Sequence, residues 1–487
     1  MLIGLDAGTS VVKATAFALH GDVTGVASRS TRTSCPAPGH TEQDVEELIA
    51  AVGAVVRELV ANADPTVDST PNLLGITGQG DGLWLLDEAG RAVRPAILWS
   101  DARAVPIVNR WMASGVAEAA FRRSANAIFP GAAAPLMTAL SEEEPESLTR
   151  AATAAYCKDA IVQRLTGARA TDDSDASLPF LDPRSRRYDP ELFKLFGLTA
   201  WRDLLPPIDP SPRPARPLTA TGAALIGLPP GTLVVSGPFD LCATMIGAGV
   251  ARIGDGLVSL GTTLGCGVLV DQVMTDGPVA GMTLCLPAPD HWVRVMPAMV
   301  GTPSLEWVLA LVGAGATDLD ALLAESPPGA GGLVCLPFLS AAGERAPFID
   351  PDARGQILGL SLETTKSQLV RAVCEGVAHA ARHCLESAGL AANATVSICG
   401  GGVRSAAWRQ ILADVLQRPL VLARQPEVGA RGAAMIALEA AGHPLDRERW
   451  TRPDGWVAPQ SANAASYDAG YAFYRDRIAA ATGHWHV

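Results

Sequence analysis

A chain of 487 residues is too long to fold around one hydrophobic core, so its length predicts two domains. With 48% hydrophobic and 18% charged residues, the composition is that of a globular protein and excludes an intrinsically disordered chain. The net charge of −12 argues against a nucleic-acid or anionic-membrane partner, but allows a nucleotide whose phosphates are neutralised locally.

The cysteines and the N-terminal segment predict where the protein works. There are nine cysteines, an odd number with no C-x-x-C pair, which is typical of a reduced protein. The N-terminal residues read directly as a strand without a secretory pattern, and no uninterrupted apolar stretch reaches membrane-spanning length. We therefore expect a cytoplasmic protein with neither a membrane nor a nucleic-acid partner.

The first half begins with a strand, a tight turn and a second strand over residues 2–17. A helix is predicted from about Thr41, followed by an apolar strand that runs into GQGDG at 78–82. Residues 205–217 are rich in proline and predict a surface loop or connector.

The opening pattern returns in the second half, where residues 256–269 again read as strand, Gly-Thr-Thr turn and strand. A helix is predicted from about 366 to 388, then a strand that ends in GGG at 400–402, then a helix from near Ser405. Strands and helices alternate in both halves, which predicts an α/β fold with a mixed sheet in each of two related domains.

Both Gly/Thr turns are candidate phosphate sites, because such turns direct backbone N–H groups and hydroxyls into one concavity. Asp6 beside the first turn is a candidate to hold Mg²⁺ through water, and Lys13 could add a positive charge. The alternative is a pair of ordinary hairpins. The turn residues are Gly8, Thr9 and Ser10 in the first half and Gly261, Thr262 and Thr263 in the second.

Two other patterns allow a functional and a structural interpretation. The GGG run permits close approach of a flat ligand, or simply makes a tight strand-to-helix turn. Glu375, His379 and His383 recur every four residues on the predicted helix; a solvated helix face is favoured there over a metal site. The sequence contains no P-loop, no well-spaced zinc set and no GxSxG elbow.

Asp240 is the only charged residue in the stretch SGPFDLCATMIGAGV at 236–250. Burying a lone carboxylate is costly unless it is paired, hydrogen-bonded or put to use. The residue begins a predicted helix of small residues near the middle of the chain, where it is either a helix cap or a catalytic carboxylate.

Seven segments, in family order and spread over nearly the whole chain, resemble the FGGY family of carbohydrate kinases. The resemblance implies two actin-like (ribonuclease-H-like) domains with an interdomain cleft, here residues 1–237 and 238–487. It also implies transfer of the ATP γ-phosphoryl group to a sugar or polyol hydroxyl with Mg²⁺. The segments are DAGTSVVK (6–13), ILWSDAR (97–103), KDAIVQRLTG…TDDSDAS (158–177), GPFD (237–240), SLGTT (259–263), ERAPFIDPDARGQILGLSLETTKSQLVRAVCEG (344–376) and GGGVRSAAWRQILADVL (400–416).

The resemblance also implies a role for each matched residue. Asp240 would be the catalytic base and Asp6 the Mg²⁺-associated carboxylate, while the two Gly/Thr turns would line the phosphates. Gly401, Gly402 and Ser405 would flank adenine and ribose. The candidates for substrate binding are Gln79, Gly80, Asp81, Asp101, Arg103 and Asp240 itself.

Two segments depart from the family pattern. Xylulokinase-like members usually have Met-His after the Gln and glycerol kinases have Arg-Glu, whereas this chain has Gly80 and Asp81, nearer to erythritol and L-xylulose kinases. An Asp-Gly turn is the alternative interpretation of Asp81. In segment 132–145, Leu136 and Ala139 stand where the family usually has Lys and Trp, which leaves the substrate class open.

The sequence thus predicts a cytoplasmic kinase that uses ATP to phosphorylate a small ketose or polyol and that could form a homodimer, as family members often do. Three alternatives remain: a non-catalytic sugar sensor, an actin-like ATPase with an assembly role, and a glycerol kinase. Asp6, Asp240 and both turns count against the sensor, the sugar-side residues against the ATPase, and the missing Arg-Glu pair against glycerol.

Overall fold

The computed structural model describes residues 1–62, 72–341, 343–424, 427–482 and 484–485. Its two large sheets mix parallel and antiparallel strands, and helices pack against both, so the predicted α/β class is confirmed. The strands are β1 Leu2–Ala7, β2 Val11–Phe17, β3 Val23–Ser30, β4 Glu42–Gln43, β5 Leu73–Gly78, β6 Trp84–Leu86, β7 Ala96–Ile97, β8 Thr153–Ala155, β9 Leu181–Asp182, β10 Arg187–Tyr188, β11 Arg216–Pro217, β12 Leu233–Ser236, β13 Gly256–Leu260, β14 Leu264–Val270, β15 Met282–Cys285, β16 Trp292–Ala298, β17 Val334–Leu336, β18 Gln356–Leu358, β19 Val396–Cys399, β20 Leu420–Leu422 and β21 Gly455–Val457.

The helices connect and cover these strands, and short 3₁₀ segments lie at Thr199–Leu204, Ala316–Asp318, Ala330–Gly332, Gly401–Arg404 and Ser461–Asn463. The α-helices are α1 Val45–Ala61, α2 Val105–Ala113, α3 Val116–Ser124, α4 Ala133–Glu143, α5 Pro145–Arg150, α6 Cys157–Thr166, α7 Asp173–Ala176, α8 Pro190–Phe196, α9 Ala220–Ile226, α10 Asp240–Gly247, α11 Thr302–Leu311, α12 Leu319–Glu325, α13 Lys366–Ser387, α14 Ala406–Leu416, α15 Val428–Ala440, α16 Arg447–Trp450 and α17 Ala464–Ala481.

The two large sheets repeat one arrangement. The first has the order β11-β12-β5-β1-β2-β3, with β1 antiparallel to β2 and parallel to β5. The second has the order β15-β16-β14-β13-β19-β20-β21, with β13 antiparallel to β14 and parallel to β19. Each sheet therefore places a Gly/Thr hairpin beside a parallel strand, and the internal repeat predicted from the sequence is confirmed.

Helix α15, from the second half of the chain, packs across the first sheet against β1 and β5. Its approach is so close that a Cβ atom at Gly4 would lie 2.0 Å from the Ala430 carbonyl oxygen, and one at Gly75 would lie 2.2 Å from that of Ala433. Glycine is required at both strand positions because backbone meets backbone there. Helix α10 packs beside α15, so the start of α10 lies close to the first sheet.

One expectation is corrected by side-chain burial. Glu375, His379 and His383 do not form a solvated face of α13: their exposed fractions are 4%, 3% and 8%. Glu375 accepts hydrogen bonds from Arg371 and the Tyr467 hydroxyl. The spacing matched an exposed face, but α13 lies between other helices and a sheet, and so it is buried on nearly every side.

Most of the cysteine side chains are buried. All nine lie in the described residues and none is paired; Cys35 is exposed and the other eight are buried. Across the described part of the chain, no single helix is both long and apolar enough to cross a bilayer. One helix pair bent by 93°, Thr302–Leu311 with Ala316–Glu325, has a suitable length and composition.

Candidate active site

The first Gly/Thr turn joins β1 to β2 at the edge facing α15. Asp6 lies opposite Lys13 in the hairpin, and the Gly8 N–H donates to the Val11 carbonyl at 3.1 Å to close the turn. The Lys13 ammonium pairs with Glu427, the residue that precedes α15, at 3.1 Å. Lys13 therefore has a carboxylate partner of its own and lies next to the predicted phosphate turn.

Asp6 is held in an environment that disfavours its charge. Burial and the nearby Glu427 carboxylate together raise its pKa to about 6, against the opposing charge of Lys13. A Cβ atom at Gly429, in the first turn of α15, would come within 2.9 Å of the Asp6 carboxylate, so glycine at this position leaves room for it. A buried carboxylate with a raised pKa is a favourable ligand for a cation.

Thr9 links this turn to residues 78–82, which contain predicted substrate-binding residues and are called the substrate loop below. Its hydroxyl donates to the Gln79 side-chain carbonyl at 2.6 Å and accepts from the Trp99 indole N–H at 3.0 Å. The Gln79 amide in turn donates to Gln43 at 3.0 Å. The Thr9 side chain thus orients Gln79, and its backbone N–H remains the group that suits a phosphate.

Gly80 faces an aromatic ring. A Cβ atom at this position would lie 1.5 Å from the Phe239 ring, which is 5% exposed. Phe239 directly precedes Asp240, so the ring occupies the space where a larger side chain at position 80 would go. This packing gives a physical reason for the glycine that departs from the Met of xylulokinase-like sequences.

We expect Gly80→Ala to lower kcat/KM at least 10-fold, because the displaced Phe239 ring moves the neighbouring Asp240. Gly80→Ala combined with Phe239→Ala should recover part of the loss, since the smaller side chain removes the clash. Gly315→Ala is the matched control, because a Cβ atom there meets nothing closer than 3.8 Å. Steady-state kinetics check these values, and a single Gly80→Ala variant with normal kcat/KM would contradict the packing argument.

Asp81 lies in a turn and is nonetheless buried. Asp81 and Gly82 both have positive φ angles, 55° and 73°, so the Asp-Gly turn is present. The Asp81 side chain is also buried at 5% exposure, and its Oδ1 atom has no hydrogen-bond partner among the described residues. Burial raises the pKa of this carboxyl to about 7, against the opposing charge of Arg345.

Asp240 begins α10 as predicted, one residue after the N-cap position. Burial and the negative charges of Asp6 and Asp81 together raise its pKa to about 8, against a hydrogen bond from the Leu241 N–H. Asp6 and Asp81, which come from two other segments, therefore both lie within electrostatic range of Asp240. Such mutual repulsion destabilises a protein unless a ligand relieves it, which is typical of a functional site.

The raised pKa gives a pH-dependent stability. Between pH 4 and pH 8 the folded protein retains a proton on Asp240 that the unfolded chain releases, so the free energy of unfolding falls as pH rises across this range. Asn does not titrate. We expect the stability of Asp240→Asn relative to wild type, with EDTA and without nucleotide, to be greater by about 1–3 kcal/mol at pH 8 than near pH 4.

Urea unfolding at the two pH values measures this difference directly. The amide also replaces a hydrogen-bond acceptor, but that effect is independent of pH and cancels between the two measurements. An advantage of Asp240→Asn that is the same at pH 4 and pH 8 would contradict the assigned electrostatics.

Asp101 and Arg103 are bound to each other. Asp101 accepts from the Arg103 guanidinium at 2.9 Å and from the Thr41 N–H at 2.6 Å. Arg103 also pairs with Glu42 at 2.7 Å. Both side chains are nearly inaccessible to solvent, so their predicted contact with a substrate hydroxyl would require these bonds to rearrange; it stays a prediction.

The second hairpin and the GGG run lie side by side. The Gly261 N–H donates to the Thr263 carbonyl at 3.1 Å, and the Thr302 N–H donates to the Gly261 carbonyl at 2.8 Å. Gly400 has φ 97°, and a Cβ atom there would lie 2.5 Å from the Leu260 carbonyl oxygen, so only glycine fits. The strand β13 and the GGG run are therefore in direct contact.

The remaining predicted adenosine residues differ in their surroundings. A Cβ atom at Gly401 would meet nothing within 4 Å, while one at Gly402 would lie 2.5 Å from the Leu260 side chain. Ser405 is the N-cap of α14: its hydroxyl accepts from the Trp408 N–H at 3.0 Å and donates to Asp320. Gly401 thus leaves an open surface, and Ser405 serves the helix as a cap.

The segment TDDSDAS, which matched the family but received no role from the sequence, forms a buried ionic network with Lys158. The Lys158 ammonium lies 2.5 Å from Asp172, 2.7 Å from Asp159 and 2.8 Å from Asp175, and its side chain is inaccessible to solvent. Burial raises the pKa of Asp175 well above its usual value. Arg213, within the proline-rich segment predicted to lie at the surface, is only 6% exposed and pairs with Asp172 at 3.0 Å.

This network holds the backbone that leads to Asp240. The Arg213 guanidinium donates to the carbonyls of Ser236 and Gly237 at 3.1 and 2.9 Å. The Ser174 hydroxyl accepts from the Phe239 N–H at 2.8 Å, and the Thr77 hydroxyl donates to the Pro238 carbonyl at 2.6 Å. The backbone of each residue from 236 to 239 is thus hydrogen-bonded to a side chain. In the sequence, the acidic residues of TDDSDAS and the family match of this segment were the signals that could have indicated such a network.

Segment 132–145, which departs from the family pattern, is helix α4. Leu136 and Ala139 are buried at 0% and 3% exposure among apolar side chains that include Leu83 and Trp111. The apolar residues at these two positions therefore belong to the hydrophobic core of the first half.

The chain matches two protein-family models in succession. Residues 1–247 match the N-terminal domain of the FGGY family of carbohydrate kinases, and residues 256–441 match its C-terminal domain. It is 33% identical to an erythritol kinase of Brucella abortus over 512 aligned positions, covering 100% of this chain and 97% of that one. It is 31% identical to a xylulose kinase of Escherichia coli, covering 91% and 90% of the two chains.

The solved structures agree with these sequence relationships. The fold superimposes on the crystal structure of a xylulose kinase from Rhodospirillum rubrum with a TM-score of 0.90 and 32% identity, covering 100% of both chains. The two family models and the full-length relatives indicate the same family. The paired sheets with their hairpins agree with it. This chain belongs to the FGGY family of carbohydrate kinases.

Proposed function

We propose that this kinase transfers the γ-phosphoryl group of ATP to a hydroxyl of a small polyol or ketose, with Asp240 as the general base. The observation that carries the proposal is the convergence of Asp240 with Asp6 of the first hairpin and Asp81 of the substrate loop. It brings together a proton acceptor, a cation ligand and a hydroxyl-binding group from three separate segments.

Asp240 suits the transfer of a hydroxyl proton. Phosphoryl transfer requires alignment and charge stabilisation, together with a carboxylate that accepts the proton of the attacking hydroxyl. Burial and two like charges raise the pKa of Asp240 to about 8, which makes its ionised form a stronger base than an ordinary aspartate. The bonds to residues 236–239 limit the motion of the carboxylate, which favours a fixed distance to the substrate.

Asp6 would hold Mg²⁺. The fit rests on the donor: a carboxylate oxygen suits this hard cation, and the cation would offset the repulsion between Asp6, Glu427 and Asp240. When bound, Mg²⁺ neutralises negative charge on the transferring phosphoryl group. The two hairpins would contribute backbone N–H groups and the hydroxyls of Thr262 and Thr263 to the phosphates, with Lys13 nearby.

The adenosine would lie against the GGG run. Gly401 leaves an open face on which a flat base could rest, and Gly400 packs against Leu260 directly before the second hairpin. Ser405 caps α14, so its proposed role is to orient the helix end that faces the ribose. ATP would thereby extend from the GGG run to the two hairpins.

The substrate loop lacks the Arg-Glu pair of glycerol kinases, which favours a longer polyol or a ketose over glycerol. Gln79 is oriented by Thr9, and Asp81 offers an unpartnered carboxylate oxygen, so the loop can accept hydrogen bonds from adjacent hydroxyls. The relatives described above include an erythritol kinase and xylulose kinases. Tetritols and pentuloses are therefore the first substrates to test.

Coupled ADP release with Mg-ATP tests the proposal against erythritol, D- and L-xylulose, pentitols, hexuloses and glycerol. We expect one tetritol or pentulose to exceed glycerol at least 10-fold in kcat/KM. Tight sugar binding without turnover would instead identify a sensor, and ATP hydrolysis that is independent of sugar would identify an actin-like ATPase. Either result would overturn the proposed function.

A further inference from the structure

Arg345 extends from the second half of the chain to two aromatic rings of the first half. Its guanidinium lies 5.2 Å from the ring centroids of both Trp99 and Phe129. Its Nε donates to the Pro297 carbonyl at 2.9 Å, while no described residue accepts a hydrogen bond from its two terminal nitrogens. The planar group is thus held in place by three partners and keeps its outer donors available.

The backbone that carries Arg345 is fixed by Glu344. One oxygen of this carboxylate accepts from the Met299 N–H at 2.7 Å and from the Arg345 N–H at 2.9 Å. Glu344 is 2% exposed, so these bonds are shielded from water. A ligand that binds Arg345 would therefore meet a side chain that is already ordered, which reduces the entropic cost of binding.

Asp81 completes the arrangement from the opposite half of the chain. It lies within electrostatic range of Arg345, and the two side chains are not hydrogen-bonded to each other. Asp81 leaves Oδ1 without a described partner, and among the described residues only the Nε of the Arg345 guanidinium donates a hydrogen bond. A buried acceptor and a set of donors thus lie close together with their hydrogen-bonding capacity unused, and Asp81 also lies within range of Asp240.

We propose that Arg345 is a substrate-binding residue that donates hydrogen bonds to an oxygen of the polyol or ketose while Asp81 accepts one from a neighbouring hydroxyl. This inference rests on the proposed function and adds to it a residue from the second half of the chain and a charge requirement. A carboxylate accepts and a guanidinium donates, so the pair selects adjacent oxygens of which one carries a proton.

The pair also defines the charge of the substrate. Asp81 offsets the charge of the one guanidinium, and a carboxylate on the substrate would oppose the ionisation of Asp240, as Asp6 and Asp81 already do. The carboxylate of a sugar acid would be repelled by these groups, so an uncharged substrate is preferred. Because Trp99 also donates to Thr9, the ring that Arg345 covers connects the substrate position to the first phosphate hairpin.

Arg345→Lys tests the assignment while keeping the positive charge. Lysine cannot provide the planar fork, so we expect KM for the best substrate of the panel to rise about 10- to 100-fold, with kcat within about 5-fold of wild type and KM for ATP unchanged. Arg477→Lys is the matched control, because Arg477 also covers a ring, that of Phe473 at 5.2 Å, but on the exposed helix α17. It should leave every constant unchanged.

Calorimetric titration of erythritol and D-xylulose without nucleotide gives a readout that is independent of turnover. If wild type binds one of them and Arg345→Lys binds it at least 10-fold more weakly, the inference holds even where the kinase assignment fails. Equal affinities in wild type and Arg345→Lys would overturn it. A Lys variant that loses ATP affinity and thermal stability together with sugar affinity would also overturn it, since that pattern indicates a structural role.

Two further measurements complete the test. In a cycle with Asp81→Asn, the two substitutions should weaken sugar binding by less together than the sum of their separate effects, and strict additivity would contradict a shared ligand. Gluconate and erythronate should bind at least 10-fold more weakly than the corresponding polyols. Tighter binding of a sugar acid would contradict the proposed charge preference.

Discussion

Asp240→Ala is expected to lower kcat for sugar phosphorylation by about 10³-fold while the protein remains folded. The reason is the loss of the carboxylate that accepts the proton of the attacking hydroxyl. The hydrogen bonds to residues 236–239 hold Asp240 in this position. Steady-state kinetics with Mg-ATP and the best substrate of the panel measure the effect. The Tm should not fall, because the substitution removes a carboxylate that burial and like charges destabilise.

The matched control is Asp476→Ala, which removes an exposed carboxylate that pairs with its neighbour Arg477 on α17. It should retain wild-type kcat. Turnover of Asp240→Ala within 10-fold of wild type would show that another group accepts the proton, and the mechanism proposed here would be wrong.

Lys158→Met is expected to cause the largest loss of stability, about 3–5 kcal/mol, because it leaves buried carboxylates without their cation. Lys158 contacts three of them at 2.5–2.8 Å, and water cannot replace the ammonium at a fully buried site. Asp172 retains Arg213 as a partner, whereas Asp159 and Asp175 would have to take up protons. Urea unfolding near pH 7 measures the change in free energy.

Lys194→Met provides the control, since Lys194 pairs with Glu191 at the surface with 62% of its side chain exposed. It should change the free energy of unfolding by less than about 0.5 kcal/mol. A Lys158→Met protein as stable as Lys194→Met would mean that the network contributes little. If a folded Lys158→Met protein also loses kcat, that result would indicate that the network positions Asp240 in addition to stabilising the fold.

The features that could be predicted from the sequence are those that short segments determine. A Gly/Thr turn between two apolar strands is a local signal for a hairpin, and both predicted hairpins are present. The long helix predicted at 366–388 begins at Lys366 and ends at Ser387, because its cap residue Thr365 and its apolar spacing are local signals. Asp240 could be recognised because a lone charge among small apolar residues is costly without a function.

The features that could not be predicted depend on which segments meet in the folded chain. The spacing of Glu375, His379 and His383 was typical of an exposed helix face, but other helices cover that face. Likewise, the fold of the first half brings Lys158 to Asp172, and the packing of the two halves brings Arg345 to Trp99. No local pattern indicates such contacts.

The most direct test of the central claim follows the phosphoryl group itself. ATP labelled with ¹⁸O in the γ-phosphoryl group is incubated with Mg²⁺, the best substrate of the panel, and either wild type or Asp240→Asn. The products are then identified and quantified by mass spectrometry. The account predicts a labelled sugar or polyol monophosphate in an amount equal to ADP with wild type, and almost none with Asp240→Asn. Labelled inorganic phosphate, released equally with and without the substrate, would contradict it.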